Sequence, residues 1–297
     1  MNQAITLYVG GHSGTIQKER EDLEGERCFT AAWPPKPAVF ANPTNVSAIL
    51  DSGAFTDKPE NRLTPEQALS RQLAWEQKAS DKWSCDWQAR ALVSYDMLID
   101  ETWIAGQKHK RRWSIWDAER AVAETVDAAN YLASQRDRLA PRTLILPAQG
   151  VDSTQYTECV AEVLKATQPG DIFGLGGWCI LGRNTRMLPV FWQTINRVLP
   201  MVKAASLDRI HIFGVLYLPA LGGLLWLADE VGLSVSTDNS RPILDCSFPN
   251  PQRAGCRFPY WRDNVAWWKS TLASLRQSEY YRRPPRLEVS RQLSFLD

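Results

Sequence analysis

Short runs of apolar and β-branched residues recur along the chain, and each run ends at Gly, Asp or Ser. Runs of this length, bounded by turn-forming residues, predict buried β-strands. Seven strands are predicted, at residues 5–11, 47–53, 90–96, 142–150, 171–177, 209–215 and 233–240. An eighth candidate, residues 38–42, lies too close to Ser47 for an intervening helix, so we expect the N-terminal units to be irregular.

Helical patterns lie between most of these strands. Thr64 opens one of them and is followed three positions later by Gln67, which is the spacing of a capping box. Ser114 is a candidate cap for the next helix. Apolar residues at three- and four-residue spacing predict helices at 64–80, 114–135, 153–167, 188–205 and 220–232.

Alternating strands and helices predict an α/β fold with a parallel sheet under helical cover. Seven or eight strands favour an irregular (β/α)8 TIM barrel over an open doubly wound sheet. The Rossmann-type alternative is weakened because residues 10–14, GGHSG, do not have the GxGxxG spacing. We expect one domain over residues 1–297, with a core at about 5–245 and a short helical and basic C-terminal extension at about 246–297.

Composition narrows the function classes. The net charge is +1 over 297 residues, so a polyanion would need a local basic patch. The six Cys form no CxxC pair, and neither a secretory signal nor a membrane-length apolar stretch is seen, which favours a cytoplasmic protein with reduced thiols. No P-loop is present, and we expect no redox cofactor.

Polar residues and glycines stand where the predicted strands end. In a barrel of this type, active-site residues come from the C-terminal ends of the strands. The strand ends carry Asp51, Asp96, Gln149 with Gly150, Gly176 with Gly177, Gly214, and Asp238. One Asp in such a position is often only a turn residue or a helix cap. Three carboxylates at one mouth repel one another and shift each other's pKa, which is typical of functional sites.

The order of these motifs resembles that of the tRNA-guanine transglycosylase superfamily, and most closely the DpdA-type enzymes that insert 7-deazaguanines into DNA. The matching segments are DSGAF (51–55), SYD (94–96), PAQG (147–150), GLGGW (174–178), HIFGV (211–215) and STDNSRP (236–242). They cover about two-thirds of the chain. Each motif is short, and it is their ordered occurrence that carries the resemblance.

The resemblance implies a role for each matching residue. Asp238 would be the nucleophile that forms a glycosyl-enzyme intermediate, and Asp51 would be the general acid and base. The remaining matches would bind the base: Asp96, Gln149 and Gly150 at its edge, the backbone around Gly176 and Gly177 at its exocyclic oxygen, Phe55 and Phe213 on its faces, and Ser52 and Gly214 beside it. His211 is interpreted as a packed or supporting histidine.

The chain departs from the family in ways that bear on cofactor and substrate. Of the cysteines, only Cys246 and Cys256 follow Asp238, and no His does, so the family's zinc site cannot be formed. We therefore expect no cofactor and no metal, and a different zinc site that uses Cys85 or Asp residues stays open as the alternative. The second Gly of the first motif is Ala54, and no extra RNA-binding domain is seen. These departures favour DNA over tRNA as the substrate, with a 7-deazaguanine such as preQ0 as the incoming base.

Basic residues with neighbouring aromatics predict a nucleic-acid surface. The candidates are Lys108, Lys110, Arg111, Arg112, Arg241 and Arg257. A further group near the C-terminus interleaves Arg262, Arg282 and Arg283 with Tyr280 and Tyr281. A solvated basic loop is the simpler interpretation of the first cluster taken alone. Helper proteins that open the duplex are compatible with a DNA enzyme of this size.

The leading hypothesis is thus a pentosyltransferase that exchanges guanine for a 7-deazaguanine in DNA. Three alternatives stay open: a tRNA-guanine transglycosylase, a two-carboxylate nucleoside or glycoside hydrolase on the same barrel, and a non-catalytic nucleic-acid-binding relative.

Overall fold

Eight parallel strands close into one barrel, in chain order, with the eighth paired to the first. The computed structural model describes residues 3–10, 25–35, 46–57, 61–97, 115–179, 181–182, 185–243 and 261–285. The strands are β1 Thr6–Gly10, β2 Gly25–Thr30, β3 Val46–Asp51, β4 Ala91–Val93, β5 Thr143–Ala148, β6 Ile172–Leu175, β7 Arg209–Ile212 and β8 Ser234–Asn239. The (β/α)8 TIM barrel expected from the sequence is therefore confirmed.

The strand missing from the sequence prediction is β2, which pairs along its whole length with β3, from Gly25 opposite Val46 to Thr30 opposite Asp51. The strand predicted at residues 38–42 lies outside the described residues, and the eighth strand of the barrel is β2. The sequence GERCFT lacks a continuous apolar run, so the pattern of apolar runs did not predict this strand. The strand also carries Arg27, whose side chain is buried and whose guanidinium lies 5.8 Å from the centre of the Trp261 ring.

Helices cover the outside of the barrel. They are α1 Pro65–Trp83, α2 Ile115–Ser134, α3 Arg136–Leu139, α4 Ser153–Lys165, α5 Leu188–Ala204, α6 Leu218–Val231 and α7 Trp261–Ala273. The predicted capping box is confirmed, since Gln67 N–H donates to Thr64 Oγ1 at 3.2 Å and Thr64 N–H donates to Gln67 Oε1 at 2.9 Å. The predicted cap Ser114 lies outside the described residues. None of the described helices is long and apolar enough to cross a membrane.

Two separate apolar clusters hold the barrel together. The larger cluster lies between strands and helices, and the smaller one fills the barrel interior with inward side chains. The interior residues are Tyr8, Ile49, Ala91, Val93, Ile145 and Ile172, with Cys28 and Phe213 packed against them. The barrel is thus a packed core below a polar mouth, as expected for eight strands.

The segment that follows α7, residues 275–285, packs on α6. A Cβ at Gly222 would overlap the backbone of Tyr280, so only glycine permits this approach. Arg276 binds Asp229 with two hydrogen bonds of 2.7 Å, and Tyr281 donates to the same carboxylate at 2.8 Å. Tyr280 and Tyr281, which the sequence analysis grouped with base-stacking aromatics, therefore serve to hold this segment on the barrel.

Removing the cap of α1 tests the link between sequence and fold. Thr64→Ala is expected to lower the free energy of unfolding by about 1 kcal/mol, because Gln67 N–H loses its acceptor. Urea unfolding measures the change. Ser70→Ala, on the exposed side of the same helix, is the control and is expected to stay within about 0.5 kcal/mol of the wild type. Equal effects of the two substitutions would contradict a capping role.

Candidate active site

The predicted strand-end residues do meet at one mouth of the barrel. Asp51 is the last residue of β3, and Asp238 lies one residue before the end of β8. Asp96 and Gln149 follow β4 and β5. Because all strands run parallel around a closed barrel, these ends share one rim. The structure therefore brings these predicted residues together at one rim.

Asp51 is the carboxyl group whose pKa changes strongly at this mouth. Its Oδ2 accepts a hydrogen bond from Gly53 N–H at 3.1 Å, and the Thr30 side chain also contributes a hydrogen bond. Burial and the negative charges of Asp96 and Asp238 raise the pKa of Asp51 from 3.8 to about 7. Asp51 can therefore hold a proton near neutral pH and release it, which suits a general acid and base.

The turn that carries Asp51 is clamped from outside. Arg71 donates two hydrogen bonds to the carboxylate of Asp57, at 3.0 and 3.1 Å, and a further one to the carbonyl of Ser52. Tyr95 donates to Asp57 at 2.8 Å. Gly53 has φ +79°, and a Cβ there would lie 2.6 Å from Ala32, so glycine is required at this turn.

Asp238 is held through one oxygen. Its Oδ1 lies 3.1 Å from His211 Nε2 and accepts from Gly214 N–H at 3.0 Å. Gly214 has φ +70°, which lets the chain turn its amide toward the carboxylate. The side chain of Asp238 is 20% exposed whereas that of His211 is fully buried. Asp238 is thus an oriented carboxylate that reaches the mouth.

Asp96 and Gln149 form a pair. Gln149 Nε2 donates to Asp96 Oδ2, and Arg62 Nη2 donates to the Asp96 carbonyl at 2.9 Å. Burial raises the pKa of Asp96, and the Gln149 hydrogen bond opposes that effect. Gln149 is fully buried, and its Oε1 has no hydrogen-bond partner among the described residues. A buried acceptor without a donor carries a free-energy cost that a ligand N–H would remove.

Several predicted substrate contacts are corrected by the backbone geometry. Gly176 N–H donates to the Ala148 carbonyl at 3.2 Å, because it continues the β5–β6 pairing, so this amide is not available to a ligand. Gly150 lies against the backbone of Tyr156, and its lack of a side chain serves helix packing. Gly214 N–H is used by Asp238. Ser52 is fully buried. Gly177, with φ +78°, remains a candidate.

Aromatic residues stand on two sides of the mouth. Phe213 lies edge-on to His211, with ring centres 4.6 Å apart, and packs on the barrel interior. Phe55 follows β3 and lies edge-on to Trp33, with ring centres 5.8 Å apart. Trp33 is 47% exposed, and it was missed because β2 was missed. The sequence does carry an indication of this residue, because Trp33 follows the end of β2 at Thr30 by three positions.

Cys28 is a second residue that the sequence analysis did not place. It points into the barrel beneath the carboxylates, next to the apolar interior. Burial and the charges of Asp238 and Asp51 raise its thiol pKa well above the ordinary value. The thiol is therefore a neutral part of the floor of the site, and not a thiolate ligand or nucleophile.

The predicted nucleic-acid contacts lie mostly outside the described residues. This holds for Lys108, Lys110, Arg111, Arg112 and Arg257. Arg241 is exposed directly after β8, and its N–H donates to Asn239 Oδ1 at 2.8 Å. Of these six predicted cations, Arg241 is the one that lies within the described residues.

Within the described ranges, no group of three or more His, Cys, Asp or Glu could hold a metal ion. Cys246 and Cys256 lie outside those ranges, as do His12 and His109.

Comparison with known proteins adds the following. No family model and no curated protein sequence matches the chain. Among solved structures, the chain is similar to a protein from Coccidioides immitis described as a "putative fructose-1,6-biphosphate aldolase". The two chains share 10% identity with a TM-score of 0.43, over 92% of this chain and 90% of the other.

The raised pKa of Asp51 predicts a specific pH dependence of stability. In the folded state the pKa is about 7, and in the unfolded state it returns to its ordinary value of 3.8. Ionising Asp51 in the folded protein lowers the free energy of unfolding. This loss is absent below about pH 4, grows as the pH rises from about 4 to about 7, and is complete above about pH 7. Asp51→Asn is therefore expected to raise the free energy of unfolding more at pH 8 than at pH 5.

Urea unfolding at both pH values measures this difference. Asp127→Asn, an exposed carboxylate on α2, is the matched control and is expected to have the same small effect at both. A pH-independent effect of Asp51→Asn would contradict the raised pKa.

Proposed function

We propose that this protein is a pentosyltransferase that exchanges guanine in nucleic acid, DNA in the first place, for a 7-deazaguanine base such as preQ0. The observation that carries the proposal is the pair of carboxyl groups with different environments at one mouth. Asp51 has a pKa of about 7, and Oδ1 of Asp238 accepts from Gly214 N–H and lies 3.1 Å from His211 Nε2. Carboxyl pairs tuned apart in this way divide acid and nucleophile roles in glycosyl transfer.

The proposed reaction has two displacement steps. In the first, an Asp238 oxygen forms a bond to C1′ while the bond from C1′ to the guanine breaks, and the departing guanine takes a proton from Asp51. In the second, the ring nitrogen of the incoming 7-deazaguanine forms the new bond to C1′ and returns its proton to Asp51. The Asp238 ester bond breaks with its electron pair returning to the carboxylate, so no external oxidant or cofactor is needed.

The Asp96–Gln149 pair supports a guanine-like edge as the ligand. Asp96 presents carboxylate oxygens, and Gln149 has a buried Oε1 with no protein donor among the described residues. Both groups are acceptors, and a guanine or 7-deazaguanine edge offers N–H donors at its ring and amino nitrogens. Phe55 and Phe213 would stack on the base, at about 1–3 kcal/mol for a base-stacking aromatic.

The polymer is proposed from the resemblance together with the rim. Trp33 and Arg241 are exposed there, next to the ends of β2 and β8. An aromatic face stacks a base, and a guanidinium binds phosphate. A base inside a duplex must be flipped out before its glycosidic bond can reach a barrel mouth.

The test is base exchange. The protein is incubated with double-stranded DNA, single-stranded DNA or tRNA, each carrying labelled guanine, with and without preQ0. We expect label release from DNA that requires preQ0 and is lost in Asp238→Asn by at least about 10³-fold, as for removal of a covalent nucleophile. Asp127→Asn is the matched control for the loss of one carboxylate.

Other outcomes identify the alternatives. Release without an incoming base would replace the proposal with a two-carboxylate hydrolase, and release from tRNA alone would move the substrate to tRNA. Binding of DNA that Asp238→Asn leaves unchanged, with no release in the presence of any base, would indicate a non-catalytic relative.

Asp96→Asn is expected to weaken binding of the incoming base. Loss of an ionised acceptor costs about 1.5–3 kcal/mol, so the KM for preQ0 should rise by about 10- to 100-fold. Steady-state exchange kinetics measure it. Glu124→Gln is the control, because Glu124 binds the same Arg62 at 3.2 Å but lies away from the base edge. An unchanged KM in Asp96→Asn would remove Asp96 from the base site.

A further inference from the structure

We propose that His211 is a positioning residue that donates its Nε2–H to Oδ1 of Asp238 and thereby leaves Oδ2 as the attacking oxygen. The proposal rests on the proposed function for the role of Asp238 as nucleophile. Its hydrogen-bond part stands on geometry alone and can be tested without any reaction.

His211 is enclosed and fixed in orientation. It lies in β7, is fully buried, and points into the barrel at the level of Ser236 on β8. The ring lies edge-on to Phe213 at 4.6 Å and to Tyr8 at 5.9 Å between centres. Its two nitrogens face different partners, with Nδ1 3.0 Å from Ser236 Oγ and Nε2 3.1 Å from Asp238 Oδ1. Packing on both sides leaves the ring one orientation.

Counting protons fixes the role of Nε2. An ionised Asp238 only accepts hydrogen bonds, so the contact at 3.1 Å requires a hydrogen on Nε2. Ser236 has one hydroxyl hydrogen and lies within reach of both Nδ1 and the Ile210 carbonyl, at 3.0 and 3.1 Å. If that hydrogen points to Nδ1, His211 is neutral with Nε2–H. If it points to Ile210, His211 carries hydrogen on both nitrogens. In both arrangements Nε2 donates to Asp238.

The same count distinguishes the two oxygens of Asp238. Oδ1 receives both N–H donors, from His211 and from Gly214. Oδ2 accepts no hydrogen bond from the residues that the structure describes. A carboxylate held at one oxygen cannot rotate freely, so the other keeps one direction. Displacement at C1′ requires the attacking atom to be aligned at about 3–3.5 Å, and an oxygen whose direction is already fixed needs no reorientation when the substrate binds.

The hydrogen bond is tested by NMR of the protein labelled with 15N-histidine. The chain has three His, and the His211 signals are assigned by their loss in His211→Gln. We expect a protonated Nε2 at neutral pH, and we expect the Nε2 shift of His211 to move in Asp238→Ala. An unprotonated Nε2, or a shift that ignores Asp238→Ala, would overturn the proposal.

The positioning role is tested by two amide substitutions of similar polarity. The Gln amide nitrogen can take the place of Nε2, whereas the Asn amide reaches only the Nδ1 position beside Ser236. His211→Gln is expected to keep most of the kcat for base exchange. His211→Asn is expected to lose about 10- to 100-fold in kcat with little change in the KM for preQ0, as for loss of one hydrogen bond to a charged group. Equal loss in both, with unchanged unfolding midpoints, would contradict the role.

The two arms separate the possible failures. The NMR arm reports on Nε2 whether or not exchange occurs, so an inactive wild type with the expected Nε2 signal would overturn only the proposed function. An active wild type with an unprotonated Nε2 would overturn only the role given to His211. Should His211→Asn fail to fold, the wild-type and Asp238→Ala spectra still decide the hydrogen bond.

Discussion

Burial of carboxyl groups side by side at one end of the barrel is the constraint on which the site depends. Asp51, Asp96 and Asp238 share a partly buried mouth, where burial raises the pKa of Asp51 to about 7 and the negative charges of Asp96 and Asp238 add to that effect. Each carboxyl has its own donors. Thr30 and Gly53 serve Asp51, Gln149 serves Asp96, and Gly214 with His211 serve Asp238. A proton on Asp51 near neutral pH reduces the negative charge that this mouth must hold.

The scaffold outside the mouth carries the opposing charge. Arg71 and Arg62 approach the turn after β3 and the end of β4, and they contact carbonyl groups next to the carboxylates. Neither forms a salt bridge with Asp51 or Asp96, since Arg71 is paired with Asp57 and Arg62 with Glu124. This matters chemically, because a direct guanidinium contact would stabilise the carboxylate form and lower the pKa of Asp51. The clamp fixes geometry while leaving the proton on Asp51.

Much of the barrel could be predicted from the sequence, because seven strands are apolar runs that end in turn residues. β2 could not, since Gly25 to Thr30 carries Glu and Arg and gains its burial from the neighbouring strands and from the helices packed on it. The rim positions of Asp51, Asp96 and Asp238 followed from strand ends alone. The hydrogen-bond partners of the glycine N–H groups could not be predicted from the motifs. Gly176 and Gly214 look alike in sequence as substrate-binding glycines, yet their N–H groups bind Ala148 and Asp238.

The barrel interior gives a physical reason to favour transfer over hydrolysis at such a site. Below the carboxylates lie Tyr8, Ile49 and Ile145, with the neutral thiol of Cys28 beside them. A packed apolar floor offers few hydrogen bonds to water, so a glycosyl-enzyme ester at Asp238 would meet water only from the open side of the mouth. A planar base bound to Asp96 and Gln149 would cover that side. The departing base and the incoming base would then occupy the same place in turn, and the intermediate would be exposed to water only during the exchange.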